Sequence, residues 1–425
     1  MRILLIASAY NGLTQRAHVE LDQLGHEVSI ALALSAEEIR QAVTLFEPDL
    51  IICPFLREKV PDDIWQQHVC IIIHPGIKGD RGASSLDWAI TNNAEEWGVT
   101  ALQAAEEMDA GDIWATSNFL MRQTSKASTY RREVTKTAIE IMLETIKHFA
   151  SGSFNPEPLD YSKEDVRGKL LPFMKQNERT IDWNTDTTDD IFRKINAADS
   201  CPGVLDTINN ENYYLYGVHK ESILNGSVPG TIIAQRHGAI CRATIDGAVW
   251  ISHLKRKKAE RVPFYKRWKI AKNPDFKLPA AMILEQSLAD VDESPIGTLY
   301  RGPEETFKEI WYKEENNVGY LYFDFHNGAM STEQCRRLLK AFRAARERST
   351  RVIVLMGGTD FWSNGIHLNI IEAAKNPADE SWRNINAIDD VVHEIITTNT
   401  HLTLSAVWGG AGAGGAIMPL AADRV

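Results

Sequence analysis

Two residues of this sequence have the side chains and the surroundings that proton transfer requires. His74 follows three isoleucines and precedes a glycine-rich loop, and Asp109 lies in the string Met108-Asp109-Ala110-Gly111-Asp112. An imidazole changes its charge near neutral pH, and a carboxylate on its far nitrogen fixes its tautomer. The pair could therefore carry general acid–base catalysis. A lone histidine at the end of a strand is also commonly structural, so His74 by itself leaves both interpretations open.

The segments that must position His74 alternate between strand and helix patterns. Residues 71–73 are typical of the end of a buried strand, and Arg81-Gly82 is predicted to open a helix. This alternation predicts a parallel sheet with helices on both faces, whose cleft lies at the carboxyl ends of the strands. The predicted strands are 2–7, 27–32, 49–54 and 69–73, and the predicted helices are 14–24, one capped by Ser35 to Glu38, and 126–149.

Composition limits the classes of protein that this chain can represent. It has 425 residues, a net charge of −11 and 44% hydrophobic residues, which is typical of a globular protein of about three domains. The acidic balance argues against a general nucleic-acid binder. The five cysteines are scattered without metal-ligand spacing, which argues against zinc and disulfides and favours a reducing cytoplasm. We expect no signal peptide and no membrane span.

Two linker-like stretches, 151–165 and 286–303, divide the chain. We therefore expect domains at 1–150, 166–285 and 304–425. Short alternating runs at 239–245 and 248–253 predict that the middle domain is small and β-rich. The last region contains a predicted helix capped by the box Ser331 to Gln334 and predicted strands at 318–325, 351–356 and 401–408.

A local basic cluster stands in the middle region of this acidic chain. Such charge runs most often form a solvated face, and the alternative is a site for a polyanionic cofactor. The cluster consists of Lys255, Arg256, Lys257, Lys258, Arg261, Lys266, Arg267 and Lys269.

Two glycine-rich loops follow predicted strands in the last region, at 357–368 and 409–415. The second contains Gly410-x-Gly412-x-x-Gly415, but a lone match to the dinucleotide pattern carries little weight. Each loop is predicted to begin a helix and so to present a backbone N–H group. Two such donors that converge on one point form an oxyanion hole.

The first two regions resemble the formyltransferases that use 10-formyltetrahydrofolate. That family has a histidine at a strand end, a loop ending in Arg-Gly and a later Asp-x-Gly-Asp, which match His74, Arg81-Gly82 and Asp109 to Asp112. The string Trp97-Gly98-Val99-Thr100 fits as well. The resemblance continues past the first linker, because Arg179-Thr-Ile-Asp-Trp183 is similar to the C-terminal domain of the same enzymes.

The last region resembles the crotonases, which polarise a CoA thioester carbonyl between two backbone N–H groups. The loop from Phe361 to His367 places Ser363 at the first donor position, and Ala413 matches the second. This order of regions, and the string from His74 to Trp88, resemble the HypX/HoxX hydrogenase maturation proteins. Formyltransferases usually carry an Asn where this chain has Ile72, and that departure also fits the HypX/HoxX family.

The resemblance implies an activity. A formyl group passes from 10-formyltetrahydrofolate to the thiol of coenzyme A, and the crotonase site then splits formyl-CoA into CoA and carbon monoxide, a ligand of iron in nickel–iron hydrogenase. His74 is expected to move the proton and Asp109 to orient it, while the Ser363 and Ala413 N–H groups hold the thioester oxygen. The expected folate contacts are Gly76, Ile77, Lys78, Gly79 and Leu102, and the expected contacts to CoA phosphates are Gln15, Arg16 and Arg131.

The expected partners are these small molecules and other hydrogenase maturation proteins, in the cytoplasm, without nucleic acid or membrane. Two alternatives stay open: a formyltransferase acting on a tRNA or a sugar amine, and a non-catalytic protein that binds folate or CoA. Residues 304–425 are fewer than a crotonase module normally has. We therefore expect an incomplete module that lacks later acid–base groups and exposes an apolar surface.

Overall fold

The computed structural model describes residues 1–257 and 276–425. The chain forms two compact units. One comprises Met1–Arg179 with Asn196–Cys201, and the other comprises Thr180–Ile195 with Pro202–Val425.

The first unit is built on a six-stranded sheet in the order β2-β1-β3-β4-β5-β6. The first four strands in this order are parallel, as the sequence predicts, whereas β5 runs antiparallel to β4 and β6 antiparallel to β5. The prediction did not include the β5–β6 hairpin. Six consecutive residues of β5 are buried, so the strand lacks the alternation that marks a half-exposed strand. The strands are β1 Arg2–Ala7, β2 Glu27–Leu32, β3 Leu50–Phe55, β4 Cys70–His74, β5 Glu96–Gln103 and β6 Ile113–Leu120.

Helices cover both faces of this sheet, as predicted. Ile3 and Leu5 of β1 belong to one core, and Leu4 and Ile6 to a second core on the opposite face. The helices are α1 Gly12–Gln23, α2 Ala36–Phe46, α3 Asp62–Trp65, α4 Ser85–Thr91, α5 Lys126–Thr129, a π-helical turn Tyr130–Val134, α6 Thr135–Ser151 and α7 Gln176–Arg179.

The C-terminal part of the first unit is held by a buried charge cluster. Arg179 donates to Asp87 of α4 at 2.5 Å, and Lys126 donates to both oxygens of the same carboxylate at 3.0 Å. Arg179 is 3% exposed, so its charge is desolvated and needs this partner. The cluster explains structurally why an arginine stands in the Arg179 to Trp183 string.

The second unit begins with an antiparallel sheet in the order β7-β8-β11-β10-β9, with β12 paired to β11. This confirms the predicted β-rich region. Of the basic cluster, Arg256 pairs with Glu211, while Lys258, Arg261, Lys266, Arg267 and Lys269 lie outside the described residues. The elements are α8 Thr188–Ala198, β7 Val204–Ile208, β8 Glu211–Glu221, β9 Ile232–Arg236, β10 Ala239–Ala243, β11 Ala248–Arg256, β12 Leu278–Pro279 and α9 Ala280–Leu284, followed by a 3-10 turn at Glu285–Ser287.

A second, mostly parallel sheet follows in the same unit, in the order β13-β14-β15-β17. The short strands β16 and β18 form a separate parallel pair. Leu338, Phe342 and Val391 of the two long helices are fully buried in the core with this sheet. The elements are β13 Ile310–Glu315, β14 Val318–Phe323, α10 Thr332–Arg346, β15 Val352–Gly357, β16 Phe361–Ser363, α11 Leu368–Ala373, α12 Pro377–Ile396, β17 Leu402–Ser405, β18 Gly410–Ala411 and α13 Gly414–Ile417, with 3-10 turns at His326–Gly328 and Met418–Ala421.

The two predicted capping boxes differ in the structure. Ser331 and Gln334 form a complete box at the start of α10, in which each side chain accepts from the other residue's backbone N–H group. At α2, the Ser35 hydroxyl accepts from the Glu38 N–H group at 3.2 Å, which is one half of a box. Ser331 and Gln334 are buried, whereas Ser35 and Glu38 are exposed.

We expect Ser331→Ala to lower the free energy of unfolding by about 1 kcal/mol or more. The substitution leaves a buried N–H group without its acceptor, whereas water can replace Ser35 at α2. Denaturant unfolding followed by circular dichroism measures the loss, with Ser35→Ala as the matched control. An equal or larger loss in Ser35→Ala would contradict the explanation.

Candidate functional site

His74 ends β4 and lies between two carboxylates. Its Nε2 is 2.8 Å from Asp80 Oδ2, and its Nδ1 is 3.6 Å from Asp109 Oδ2. The ring is 5% exposed. His74 and Asp109, which the sequence pairs, lie close together, but the hydrogen-bonded partner of the ring is Asp80. Asp109 acts on the ring through its charge, since 3.6 Å is too long for a hydrogen bond.

Asp80 is not among the site residues predicted from the sequence. This acid stands in the same loop as His74, immediately after Gly79, and the spacing could have indicated a return of the chain onto the histidine. Gly76 permits that return. A Cβ atom on Gly76 would lie 2.3 Å from Asp80 Oδ2 and 2.4 Å from His74 Nε2. The contact therefore requires a residue without a side chain at position 76.

Arg81 and Gly82 position Asp109 and do not open a helix, because α4 begins at Ser85. The Gly82 N–H group donates to Asp109 Oδ2 at 3.1 Å, and Arg81 Nε donates to the Met108 carbonyl at 3.0 Å. Asp109 itself has a φ of +54°, a left-handed conformation that these contacts maintain. The Arg-Gly pair thus has a structural role that the predicted helix start did not capture.

Three opposing effects determine the charge of His74. Burial lowers the pKa of the ring, while the hydrogen bond to Asp80 and the negative charges of Asp109 and Asp80 raise it. The carboxylates outweigh burial, so the pKa of His74 lies above its usual value of 6.5. A protonated ring has a hydrogen-bonded carboxylate at Nε2 and a second negative charge near Nδ1, which is why this arrangement favours the charged form.

The backbone carbonyl groups of the loop expected to contact folate, residues 76–79, already accept hydrogen bonds within the protein. The carbonyl of Gly76 accepts from the Thr100 hydroxyl and that of Ile77 from the Asp80 N–H group. The carbonyls of Lys78 and Gly79 accept from Gly168 and Tyr161, respectively. The Gly76 N–H group donates to the His74 carbonyl at 2.9 Å. Among the backbone groups of this loop, the N–H groups of residues 77–79 are therefore the better candidates for a ligand.

The remaining predicted ligand contacts occupy different environments. Leu102 is buried in β5, between β4 and β6. The Gln15 amide donates to the Tyr10 carbonyl, and Arg16 pairs with Glu20 one turn along α1. Arg131 is exposed in the π-helical turn. The ligand roles of these residues, and of residues 76–79, stay predictions.

The two glycine-rich loops of the second unit lie against each other. Ser363 pairs with Ala411 across the β16–β18 ladder, and the Gly412 N–H group donates to the Ser363 carbonyl at 2.9 Å. A Cβ atom on Gly415 would lie 2.1 Å from the same carbonyl oxygen. Ala413 precedes α13 with a φ of +48°. Ser363 and Ala413, the donor positions that the crotonase resemblance assigns, thus lie at or within two residues of the contact between Gly415 and the Ser363 carbonyl.

The two assigned donor positions differ in their local structure. The backbone of Ser363 belongs to β16, and its side chain is fully buried. The next helix, α11, starts at Leu368, where the His367 ring accepts from the Ile370 N–H group. An N–H group at Ser363 is therefore oriented by strand pairing and not by a helix. Ala413 does stand at a helix start, as predicted.

Residues 1–257 and 276–425 hold no group of three His, Cys, Asp or Glu side chains suited to a metal ion. No helix within these residues is long and apolar enough to span a membrane.

Comparison with known proteins covers every region of the chain. Residues 1–146 match the Formyl transferase family, residues 174–270 the Formyl transferase, C-terminal domain family, and residues 313–425 the Enoyl-CoA hydratase/isomerase family. Hydrogenase maturation factor HoxX of Bradyrhizobium diazoefficiens is 46% identical over 425 residues, which is 100% of this chain and 71% of that protein. The chain belongs to the HoxX/HypX family of hydrogenase maturation factors.

Solved structures agree with this assignment. A crystal structure of HypX from Aquifex aeolicus in complex with tetrahydrofolic acid has a TM-score of 0.91 and 44% identity, and the match covers 100% of this chain and 71% of that one. Methionyl-tRNA formyltransferase of Bacillus subtilis is more distant, at 24% identity over 233 residues, 53% of this chain and 72% of that protein. The expected family and the order of formyltransferase and crotonase-like regions are confirmed.

We expect Asp80→Asn to lower the pKa of His74 by about 1–3 pH units, because the ring loses a carboxylate charge while burial persists. Histidine NMR titration measures the change, with Asp63→Asn on the exposed Arg40 pair as control. Because the folded pKa is raised, the charged pair stabilises the fold fully below about pH 6.5 and loses its contribution as the pH rises through the folded pKa. An unchanged titration in Asp80→Asn would show that Asp80 does not control the ring.

Proposed function

We propose that this HoxX/HypX family member transfers a formyl group from 10-formyltetrahydrofolate to the thiol of coenzyme A. We also propose that its crotonase-like region splits formyl-CoA into CoA and carbon monoxide for the hydrogenase metal site. The observation that carries the first step is the buried His74, held between Asp80 and Asp109 at the carboxyl end of a parallel strand. A relative crystallised with tetrahydrofolic acid supports folate as the one-carbon carrier.

The two nitrogens of His74 have different roles in this proposal. In the neutral ring that accepts the proton, Asp80 engages the N–H group of Nε2 in a hydrogen bond and so fixes the tautomer in which Nδ1 carries the lone pair. The nearest carboxylate to Nδ1 is 3.6 Å away, so Nδ1 can exchange a proton with a substrate. Nδ1 takes the proton of the acceptor thiol, whose usual pKa is about 8.5, and returns it to the departing folate nitrogen.

Asp109 stabilises the positive ring that forms in this exchange. Ile72 has no side-chain donor with which to stabilise a developing oxyanion, so the imidazolium of His74 supplies that charge. A single imidazole suits this reaction because it can accept the proton of the thiol and then return it to the folate nitrogen. The raised pKa of His74 serves the second half of this exchange.

The second step is assigned to the contact between the two glycine-rich loops. Backbone N–H groups at Ser363 and Ala413 would hold the thioester oxygen of formyl-CoA as negative charge develops there. The close approach of Gly415 to the Ser363 carbonyl supports this proposal, since it fixes the distance between the two loops. Each such donor typically lowers the barrier by about 2.7–4 kcal/mol.

We expect His74→Gln to reduce formyl transfer to CoA by about 10²–10⁴-fold, because glutamine cannot exchange the proton. Formyl-CoA is quantified by chromatography, with amine acceptors assayed in parallel, and calorimetry checks that tetrahydrofolate still binds. His68→Gln, in a loop before β4, is the matched control. Turnover close to wild type in His74→Gln would remove the proposed base, and formylation of an amine in preference to CoA would replace the proposed acceptor.

We expect Gly415→Ala to reduce carbon monoxide release from formyl-CoA by about 10²–10³-fold while formyl transfer persists. The new Cβ atom must push the second loop away from the Ser363 backbone. Gly414→Ala is the control, since its Cβ atom would meet only Gly365 Cα at an ordinary 3.8 Å. Equal release of carbon monoxide from the two variants would show that the contact between Gly415 and Ser363 has no role in the second step.

A further inference from the structure

Residues 157–171, which the sequence assigns in part to a linker, form an ordered strap over the loop that carries Asp80. At one end, the Glu157 and Ile113 backbones exchange hydrogen bonds of 2.7 and 2.9 Å, which join the strap to the start of β6. At the other end, the Leu171 N–H group donates to the Arg81 carbonyl at 3.1 Å, and the Arg81 N–H group donates to the Lys169 carbonyl at 3.3 Å. The strap is thus fixed to the sheet and to the loop.

Between these ends the strap contacts two consecutive residues of the loop, Lys78 and Gly79. The Gly168 N–H group donates to the Lys78 carbonyl at 2.9 Å, and the Tyr161 hydroxyl donates to the Gly79 carbonyl at 3.0 Å. The Lys78 ammonium pairs with Glu157 at 2.8 Å and with Asp165 at 2.5 Å. These contacts hold the two residues that precede Asp80.

The closest approach occurs at Asp80 itself. A Cβ atom on Gly168 would lie 1.9 Å from the Asp80 backbone nitrogen, and one on Gly79 would lie 2.5 Å from a methyl group of Val166. Both are backbone positions where only glycine fits, and Gly79 also has a φ of +90°. The strap and the loop are therefore in direct main-chain contact where the chain turns Asp80 toward His74.

The loop needs such external support. The loop contains Gly76, Gly79 and Gly82, and glycine loses more conformational freedom on ordering than any other residue. The carboxylates of Glu157 and Asp165 are 39% and 63% exposed, so water screens their pairs with Lys78 and they stabilise the loop little. The main-chain contact at Gly168 is therefore the stronger constraint.

We propose that the strap is a positioning element of the first site, in which Gly168 holds the backbone of Asp80 so that its carboxylate stays on His74 Nε2. The consequence for catalysis rests on the proposed formyl transfer, whereas the positioning is measurable without any substrate. Loss of this contact leaves His74 buried without its hydrogen-bonded carboxylate. The ring then titrates at lower pH, and the acid limb of the pH–rate profile moves with it.

Histidine NMR titration of Gly168→Ala tests this proposal. We expect the pKa of His74 to fall by about 1–3 pH units, as in Asp80→Asn, and the double variant to fall no further than Asp80→Asn alone. The control is Gly12→Ala at the start of α1, where a Cβ atom meets nothing within 4 Å. A wild-type titration in Gly168→Ala, or additive shifts in the double variant, would overturn the proposal.

Tyr161→Phe provides a second variant that preserves packing and removes only the hydroxyl bond to Gly79. We expect a smaller fall in the His74 pKa, and none in Ser162→Ala, whose hydroxyl contacts Asp160 within the strap. A wild-type titration in Tyr161→Phe would count against the strap even if Gly168→Ala fails to fold. A shifted titration in a chain that transfers no formyl group would leave the strap in place and refute the proposed activity.

Discussion

A buried imidazole between two carboxylates is the interaction on which the first site depends. Burial alone would favour a neutral ring, and the charges of Asp80 and Asp109 reverse that preference. The reversal requires both acids to lie within a few ångströms of a ring that is almost inaccessible to water. Neither acid neighbours His74 in sequence, so two separate backbone segments must be held against it.

The protein holds each acid by a different device. Asp109 is held by hydrogen bonds from another segment, since Arg81 donates to the carbonyl of residue 108 and the Gly82 N–H group donates to the Asp109 carboxylate. Asp80 lies in a glycine-containing loop that can come close to the His74 ring and is itself in close contact with the strap. At these points the glycines leave room for a neighbouring side chain or backbone, which a Cβ atom would have to displace.

The site proposed in the second unit would follow the same physical logic with backbone groups alone. The loops around Ser363 and Ala413 are joined by a short strand ladder and by the contact at Gly415. In the proposed second step, the N–H group at Ser363 would be fixed by strand pairing and the N–H group at Ala413 by a helix start, and preorganised N–H groups stabilise developing negative charge. The proposal assigns this role to main-chain groups, so it does not depend on the side chains of Ser363 and Ala413.

The local sequence was sufficient for many of the elements and for the position of His74 at the end of a strand. Strands β1 to β4, the helices on both faces, the β-rich region and the cap at Ser331 follow from periodicity and capping chemistry, which act over a few residues. Short contiguous sequence motifs indicate His74, Asp109 and the family. The tertiary structure alone decided the β5–β6 hairpin, the strand at Ser363 and the contact of the strap with the Asp80 loop, and it established the contact of Asp80 with His74, which the spacing in that loop could only indicate. Each of these features depends on which backbone segments approach one another. A strand buried on both faces has no alternating pattern, and a glycine has no side chain whose character could indicate a neighbour, so the sequence carries no periodic signal of the approach.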